Sequence, residues 1–327
     1  MPNPFSNKTR IPRTDLEVPF TSIGTMMFGG RSDRDETMRT VDAALENGLN
    51  FFDAASAYQN GKSEELMGEA MKGRRDRFVV TTKVGYGKDG AGEEEGLSPE
   101  SIRRVIDQSL GRMQTDYVDI YYFHRPDYVV PIEISLAAMG EVIGAGKARA
   151  FGISNYSAWQ SLDILNLCEK NGWPCPVISQ MIYNPLLRQI ECEYVSFARK
   201  HGMYLTVYNP LAGGLLTGKY ADLDDEDKGA RFIDNEMYRK RYWSERMFEG
   251  MNGLLEIARS GGVSLTHLTL NWIRQKGKVS NILLGPSNHK QLLDCLKAGE
   301  SDLSDETIQA VDNFLLEFEG TNASYAR

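Results

Sequence analysis

A chain of 327 residues, 41% hydrophobic and 25% charged, can bury a large core and fits either two domains or one barrel of about 250 residues or more. Its net charge of -8 argues against a nucleic-acid or anionic-membrane surface, since either needs a basic face. No window approaches the roughly 18 uncharged apolar residues of a membrane span and the N-terminus has no leader-like apolar stretch, so the protein is expected in the cytoplasm. The cysteines Cys168, Cys175, Cys192 and Cys295 lack CxxC spacing, and with only four histidines neither a disulfide framework nor a metal site is suggested.

In chain order, a first strand is expected around Ser22 to Thr25 and a helix over Asp35 to Asn47. Leu49 to Phe52 then runs into Asp53, Phe78 to Thr82 into Lys83, and Val118 to Phe123 into His124, all of strand length and composition. Between the last two, Gly85 to Gly96 is rich in glycine and glutamate, lacks periodicity, and reads as a mobile loop without chemistry. A helix from Pro131 to Ala145 precedes Ala148 to Ile153, which ends at Ser154-Asn155. Next come a helix over Ser157 to Lys170, the strand Val177 to Ser179 reaching Gln180, a helix near Glu191 to Lys200, and Tyr204 to Val207 ending at Tyr208-Asn209-Pro210.

Residues 220–241 are too long for a simple connection, and they read as a cover over one end of the fold, with the acidic run Asp222 to Asp227 a solvated face. An eighth strand, Ser280 to Leu284, ends at Gly285, and a last helix spans about Asp305 to Phe318. Strict strand-helix alternation favours a closed (β/α)8 TIM barrel with long mouth-covering loops, in one domain over residues 1–327. No Gly-x-Gly-x-x-Gly follows the first strand, which counts against the doubly wound dinucleotide fold.

In such a barrel the strand ends converge on one mouth, so Asp53, Tyr58, Lys83 and His124 share a site. Taken singly each is ordinary: a turn former, a packed tyrosine, a solvated lysine, a satisfied histidine. Together they suit reduction of a carbonyl, which needs a hydride on carbon and a proton on oxygen. A phenol with a pKa of about 10 is a weak acid unless its anion is stabilised. Lys83 is expected to do this for Tyr58, Asp53 to hold Lys83, and His124 to donate to the carbonyl oxygen.

The chain resembles the aldo-keto reductases over essentially its whole length, through Gly48-Leu49-Asn50-Phe51-Phe52-Asp53-x4-Tyr58, Thr82-Lys83, Phe123-His124, Gly152-Ile153-Ser154-Asn155 and Gln180. It is most similar to the aflatoxin-aldehyde and succinic-semialdehyde reductase branch. There the carriers are Ser154-Asn155-Tyr156-x-Ala158-Trp159, Cys168-Glu169-Lys170-Asn171-Gly172-Trp173, the run Asn209-Pro210-Leu211-Ala212-Gly213-Gly214-Leu215-Leu216-Thr217-Gly218-Lys219-Tyr220, Tyr242-Trp243 and the terminal arginine. The resemblance implies NADPH as cofactor, a small-molecule carbonyl substrate, a homodimer and a detoxifying role.

It further implies that Ser154, Asn155 and Gln180 bind the nicotinamide carboxamide while Tyr208 stacks on the ring. By themselves Asn155 and Gln180 read as strand-end and cap residues, and Tyr208 as core. Asn209, Pro210, Leu211, Gly213 and Leu215 would let backbone amides approach a pyrophosphate, with Lys219 as a cation and Arg231 reaching over the phosphates. Gly285, Ser287 and Gln291, at the start of the last barrel helix, would take the 2′-phosphate, with Cys295 where relatives carry Asn. Tyr238, Arg241 and Arg327 match positions that hold an acidic substrate end, beside His124. Aromatic residues near the mouth suit aromatic aldehydes or dialdehydes equally well. A cofactor-binding regulatory subunit of the channel β-subunit type shares the barrel and the four residues, and the branch-specific arginines tell against it; a metal-dependent barrel hydrolase lacks ligands at the strand ends.

Overall fold

Residues 3–88, 94–220, 223, 232 and 235–319 are described by the structure, a computed structural model. The chain opens with a hairpin, β1 (Lys8–Arg10) and β2 (Glu17–Pro19), paired antiparallel. Eight parallel strands follow: β3 (Thr21–Gly24), β4 (Phe51–Asp53), β5 (Val79–Val84), β6 (Val118–Phe123), β7 (Ala148–Ser154), β8 (Ile178–Ile182), β9 (Tyr204–Tyr208) and β10 (Asn281–Leu284). They close into a barrel in sequence order, with β10 hydrogen-bonded to both β9 and β3. The expected (β/α)8 architecture is therefore found.

The strands are short apolar runs because both faces are covered, one by the barrel interior and one by helices. Those helices are α1 (Arg34–Glu46), α2 (Lys62–Met71), α3 (Pro99–Met113), α4 (Ile132–Gly144), α5 (Ala158–Asn171), α6 (Tyr194–Lys200), α7 (Glu236–Tyr242), α8 (Glu245–Ser260), α9 (Leu265–Gln275), α10 (His289–Leu296) and α11 (Asp305–Glu319). Their starts are written in the sequence: Asp33 caps α1, Ser98 precedes Pro99 at α3, and Ser157 forms a capping box with Gln160 at α5.

The hairpin was not among the expected elements, and it has a definite task. Ile11, Leu16 and Val18 bury against Phe51, Val79, Ile120, Ile178 and Tyr204 to seal the end of the barrel where the strands begin. Asp15 pairs with Arg149 on the rim, and the Thr9 hydroxyl meets that of Tyr204. With that end plugged, only the end where the strands finish stays open.

The cover expected over 220–241 is in part a helix: α7 begins inside it, capped by Asn235, and turns Tyr238 and Tyr242 inward. Phe232 packs against Tyr220 and Trp243. The acidic run apart from Leu223, Arg231 and the tail with Arg327 lie outside the described residues. No described helix is long and apolar enough to cross a membrane.

Candidate active site

Asp53 ends β4, Lys83 is the penultimate residue of β5, and His124 directly follows β6, its N–H donating to Val84 O at 2.8 Å. Lys83 is fully buried, and Nζ donates to Asp53 Oδ2 at 2.5 Å, to Ala54 O at 2.7 Å and to Tyr58 OH at 3.4 Å. Asp53 Oδ1 takes Thr81 Oγ1 at 2.7 Å and Gln180 Nε2 at 3.0 Å. The carboxylate thus has donors on both oxygens, as a buried charge requires. Tyr58 is set by a tight turn: Gln59 and Asn60 take left-handed backbone, φ 50° and 52°, before α2 begins. Its ring meets that of His124 edge-on, with centroids 6.0 Å apart.

The structure brings the four residues together. Burial, followed by the charge of Asp53, raises the Tyr58 pKa above its ordinary value, and the Lys83 ammonium beside the hydroxyl works in the opposite direction by stabilising the phenolate. Tyr58 therefore rests as a neutral phenol. Burial also lowers Lys83, against the pull of Asp53. Burial, with Lys83 and Arg125 adding to it, drives His124 well below the ordinary imidazole value, so its ring is neutral. His124 Nδ1 is buried without a hydrogen-bond partner among the described residues.

A cleft of about 830 Å³ extends from Tyr58 and His124 across Tyr208 to Ser287, Gln291 and Cys295. Ser154, Asn155, Gln180, Asn209, Pro210, Leu211, Gly213, Lys219 and Gly285 also line it. The polar shelf is already cross-bonded. Ser154 Oγ donates to Gln180 O, Asn155 Nδ2 donates to His124 O and Ser154 Oγ, and Tyr208 OH donates to Asn155 Oδ1 at 2.7 Å. Gln180 Nε2 gives one of its two hydrogens to Asp53. Asn209 Nδ2 is buried and unpartnered among the described residues, a donor in want of an acceptor at the cleft wall.

Gly213 and Gly214 have φ of 70° and 103°, and a Cβ on Gly213 would lie 2.8 Å from Tyr238 Cδ1. The turn needs glycine there on both counts. These features fit a dinucleotide: an amide-and-hydroxyl shelf, an aromatic face, a glycine cradle and a lysine. The Leu215 side chain is fully buried in the core, so only its backbone is offered to the cradle. Ser287 lines the cleft but does not cap the helix. Asn288 caps α10, and Gln291 Oε1 accepts from Ser287 N at 2.8 Å.

On the substrate side Arg241 and Tyr238 both line the cleft, although the Tyr238 hydroxyl donates to Asn209 Oδ1 at 2.9 Å and so braces the cofactor wall. Sequence reasoning missed Tyr86, Arg125, Arg31 and Met237, which line the same cleft. Tyr86 lies 4.9 Å from His124 between ring centroids, and the Arg125 guanidinium sits 4.8 Å from the Tyr86 ring. It belongs to the segment expected to be mobile and without chemistry. Within that segment Gly85 N donates to Glu95 Oε2, and Glu95 is buried. An aromatic residue three positions beyond the lysine near the end of a strand was the available signal.

The aldo/keto reductase family model matches residues 22–315. The chain is 37% identical over 297 residues to rat aflatoxin B1 aldehyde reductase member 2, covering 86% of this chain and 80% of the relative. It is 36% identical over 302 residues to human aldo-keto reductase family 7 member A3, covering 86% and 89%. A rice protein named as a probable voltage-gated potassium channel subunit beta is 35% identical over 292 residues, covering 88% and 89%.

Proposed function

The chain belongs to the aldo/keto reductase family and is an oxidoreductase, and on that premise we propose that it reduces aldehydes and ketones to alcohols with NADPH, residues 1–327 acting as one barrel domain. Bound NADPH supplies the hydride to the carbonyl carbon. Tyr58 gives its proton to the oxygen, and its neutral resting state is what a donor needs. Lys83 stabilises the phenolate left behind, and Asp53 keeps the lysine charged and aimed. Neutral His124 offers a hydrogen bond to the carbonyl oxygen as negative charge grows on it.

Ser154, Asn155 and Gln180 would hold the nicotinamide amide and Tyr208 its ring, while Asn209, Pro210, Leu211, Gly213 and Lys219, with the backbone of Leu215 and with Arg231, would hold the pyrophosphate. Gly285, Ser287 and Gln291 take the adenosine 2′-phosphate. Arg241, Tyr238 and Arg327 select substrates with an acidic end, such as carboxylate-bearing aldehydes.

The observation that carries this reading is the Asp53–Lys83–Tyr58 chain of contacts, which ends on Tyr58 in the lining of a cleft of about 830 Å³ that runs on to Ser287 and Gln291. NADPH oxidation across a panel of aldehydes tests it: turnover supports a reductase, and NADPH binding without turnover supports a regulatory subunit like the channel relatives. Within the panel, Arg241→Ala should raise KM for a carboxylate-bearing aldehyde about tenfold and leave its uncharged ester unchanged. An equal effect on both removes the acidic-substrate reading.

A further inference from the structure

Glu95 is buried, 6% exposed, beside the reacting centre, yet none of the steps above uses it. Its position follows from how the chain leaves β5. Gly85 turns off the strand with φ 98°, which leaves the N–H groups of Gly85 and Tyr86 beyond the β5 ladder, where they need an acceptor. Glu95 Oε2 provides it, at 2.8 Å from Gly85 N and 3.2 Å from Tyr86 N. Oε1 accepts from the hydroxyl of Ser56, two residues before Tyr58, and Ser56 Oγ also lies 2.9 Å from Lys83 O. One carboxylate therefore ties together the exits of β4 and β5, the strands that carry Asp53 and Lys83.

What it holds in place is Tyr86. The ring leans on His124, carries Arg125 on its outer side, and reaches Met237 of α7, Tyr86 OH to Sδ being 3.6 Å. Nothing else described bonds the Tyr86 N–H or the Gly85 N–H. The anchor is itself fixed from behind: Glu95 N donates to Gly87 O at 2.8 Å, and Leu97 N donates to Asp127 Oδ2 at 2.8 Å, on the connection that follows His124. Burial raises the Glu95 carboxyl, so its three donors are what make the site tolerable for a charge.

We infer that Glu95 is a positioning residue for substrate: its buried carboxylate fixes the Tyr86 ring as the wall of the carbonyl pocket opposite Tyr58, next to His124. It acts through Tyr86 and touches neither substrate nor cofactor. The inference rests on the reading of this cleft as a carbonyl-reducing site, so its test has one arm that does not need turnover.

In that arm, hydrogen exchange is followed across residues 84–88 in the full chain with NADPH present, for the parent, Glu95→Gln and Glu95→Ala. Both variants should speed exchange there by about tenfold or more while β6 stays protected. Unchanged exchange overturns the anchoring. In the kinetic arm, with 4-nitrobenzaldehyde, Glu95→Ala should raise KM about tenfold, keep kcat within about threefold, and leave the NADPH Kd unchanged. Tyr86→Ala should do the same alone, and the double variant should be no worse than the poorer single one, because one residue works through the other. Additive losses, or a fall in kcat at constant KM, overturn the role assigned to Tyr86. Glu95→Gln, which keeps one acceptor oxygen, should fall between parent and Glu95→Ala. Absence of turnover in the parent defeats the reductase reading, while the exchange arm still decides the anchoring.

Discussion

Replacing Lys83 with methionine removes an ammonium that donates to Asp53 Oδ2 at 2.5 Å, Ala54 O at 2.7 Å and Tyr58 OH at 3.4 Å. Two consequences of different size follow. For stability, Asp53 keeps only Thr81 and Gln180 as donors, and an ion left without its counter-charge in the interior costs about 3–5 kcal/mol. For chemistry, a full unit charge at 3.4 Å is worth about 5 kcal/mol at an effective dielectric near 20. Only part of that charge has developed on the phenol oxygen at the transition state, so hydride transfer should slow by about 10²- to 10³-fold. Urea titration measures the first effect and single-turnover NADPH oxidation with 4-nitrobenzaldehyde the second. The double variant Lys83→Met with Asp53→Leu separates them, because it removes both charges: stability should recover by about 2 kcal/mol or more, and turnover should stay low. The reasoning is refuted if Lys83→Met keeps parental turnover, or if the double variant recovers it.

Other consequences concern pH, the glycine cradle and the α1–α10 contact. Although burial works against it, hydrogen bonds from His289 N and Nδ1 and from Arg39 hold the Glu36 carboxyl down at about 2. A depressed carboxyl stabilises the fold above its unfolded value near 4.5, and that contribution disappears as pH falls toward about 2. Glu36→Gln should therefore cost about 1–2 kcal/mol at neutral pH and flatten the acid limb of a stability titration; an unaltered acid limb contradicts the assignment. Because His124 is neutral, kcat should show no titration between about pH 6 and 8 that vanishes in His124→Asn, and such a titration would speak against a neutral donor. Gly213→Ala, with φ 70° and Tyr238 Cδ1 2.8 Å from the new Cβ, should weaken NADPH binding about tenfold or more in a fluorescence titration; parental affinity would remove the cradle from the cofactor site.

The barrel and three of the four central residues were legible because they follow one rule: a buried apolar run ends and an ionisable side chain begins. Asp53, Lys83 and His124 announce themselves in this way, and Tyr58 by its spacing from Asp53. The rest was hidden for different physical reasons. The hairpin strands, three residues each with β1 wholly exposed, carry no hydrophobic period to detect. Seven-residue α7 buries only Tyr238 and Tyr242, and its charged residues gave it the composition of a loop. The left-handed backbone at Gly213 and Gly214 shapes the cradle, and sequence does not reveal those angles. Glu95 and Tyr86 lie eleven and two residues past Val84, in a segment with no period at all. Their partnership comes from the turn at Gly85. The cost of burying the Tyr58 phenolate, which opposes the neighbouring ammonium, depends on the packing around the ring and is not legible in sequence.

The most direct test is single-turnover NADPH oxidation by Tyr58→Phe, which removes one oxygen atom and leaves the ring against His124. If Tyr58 supplies the carbonyl proton, NADPH should bind as tightly as in the parent while reduction of 4-nitrobenzaldehyde slows by about 10²-fold or more. Reduction within about threefold of the parent rate would place the proton donor elsewhere.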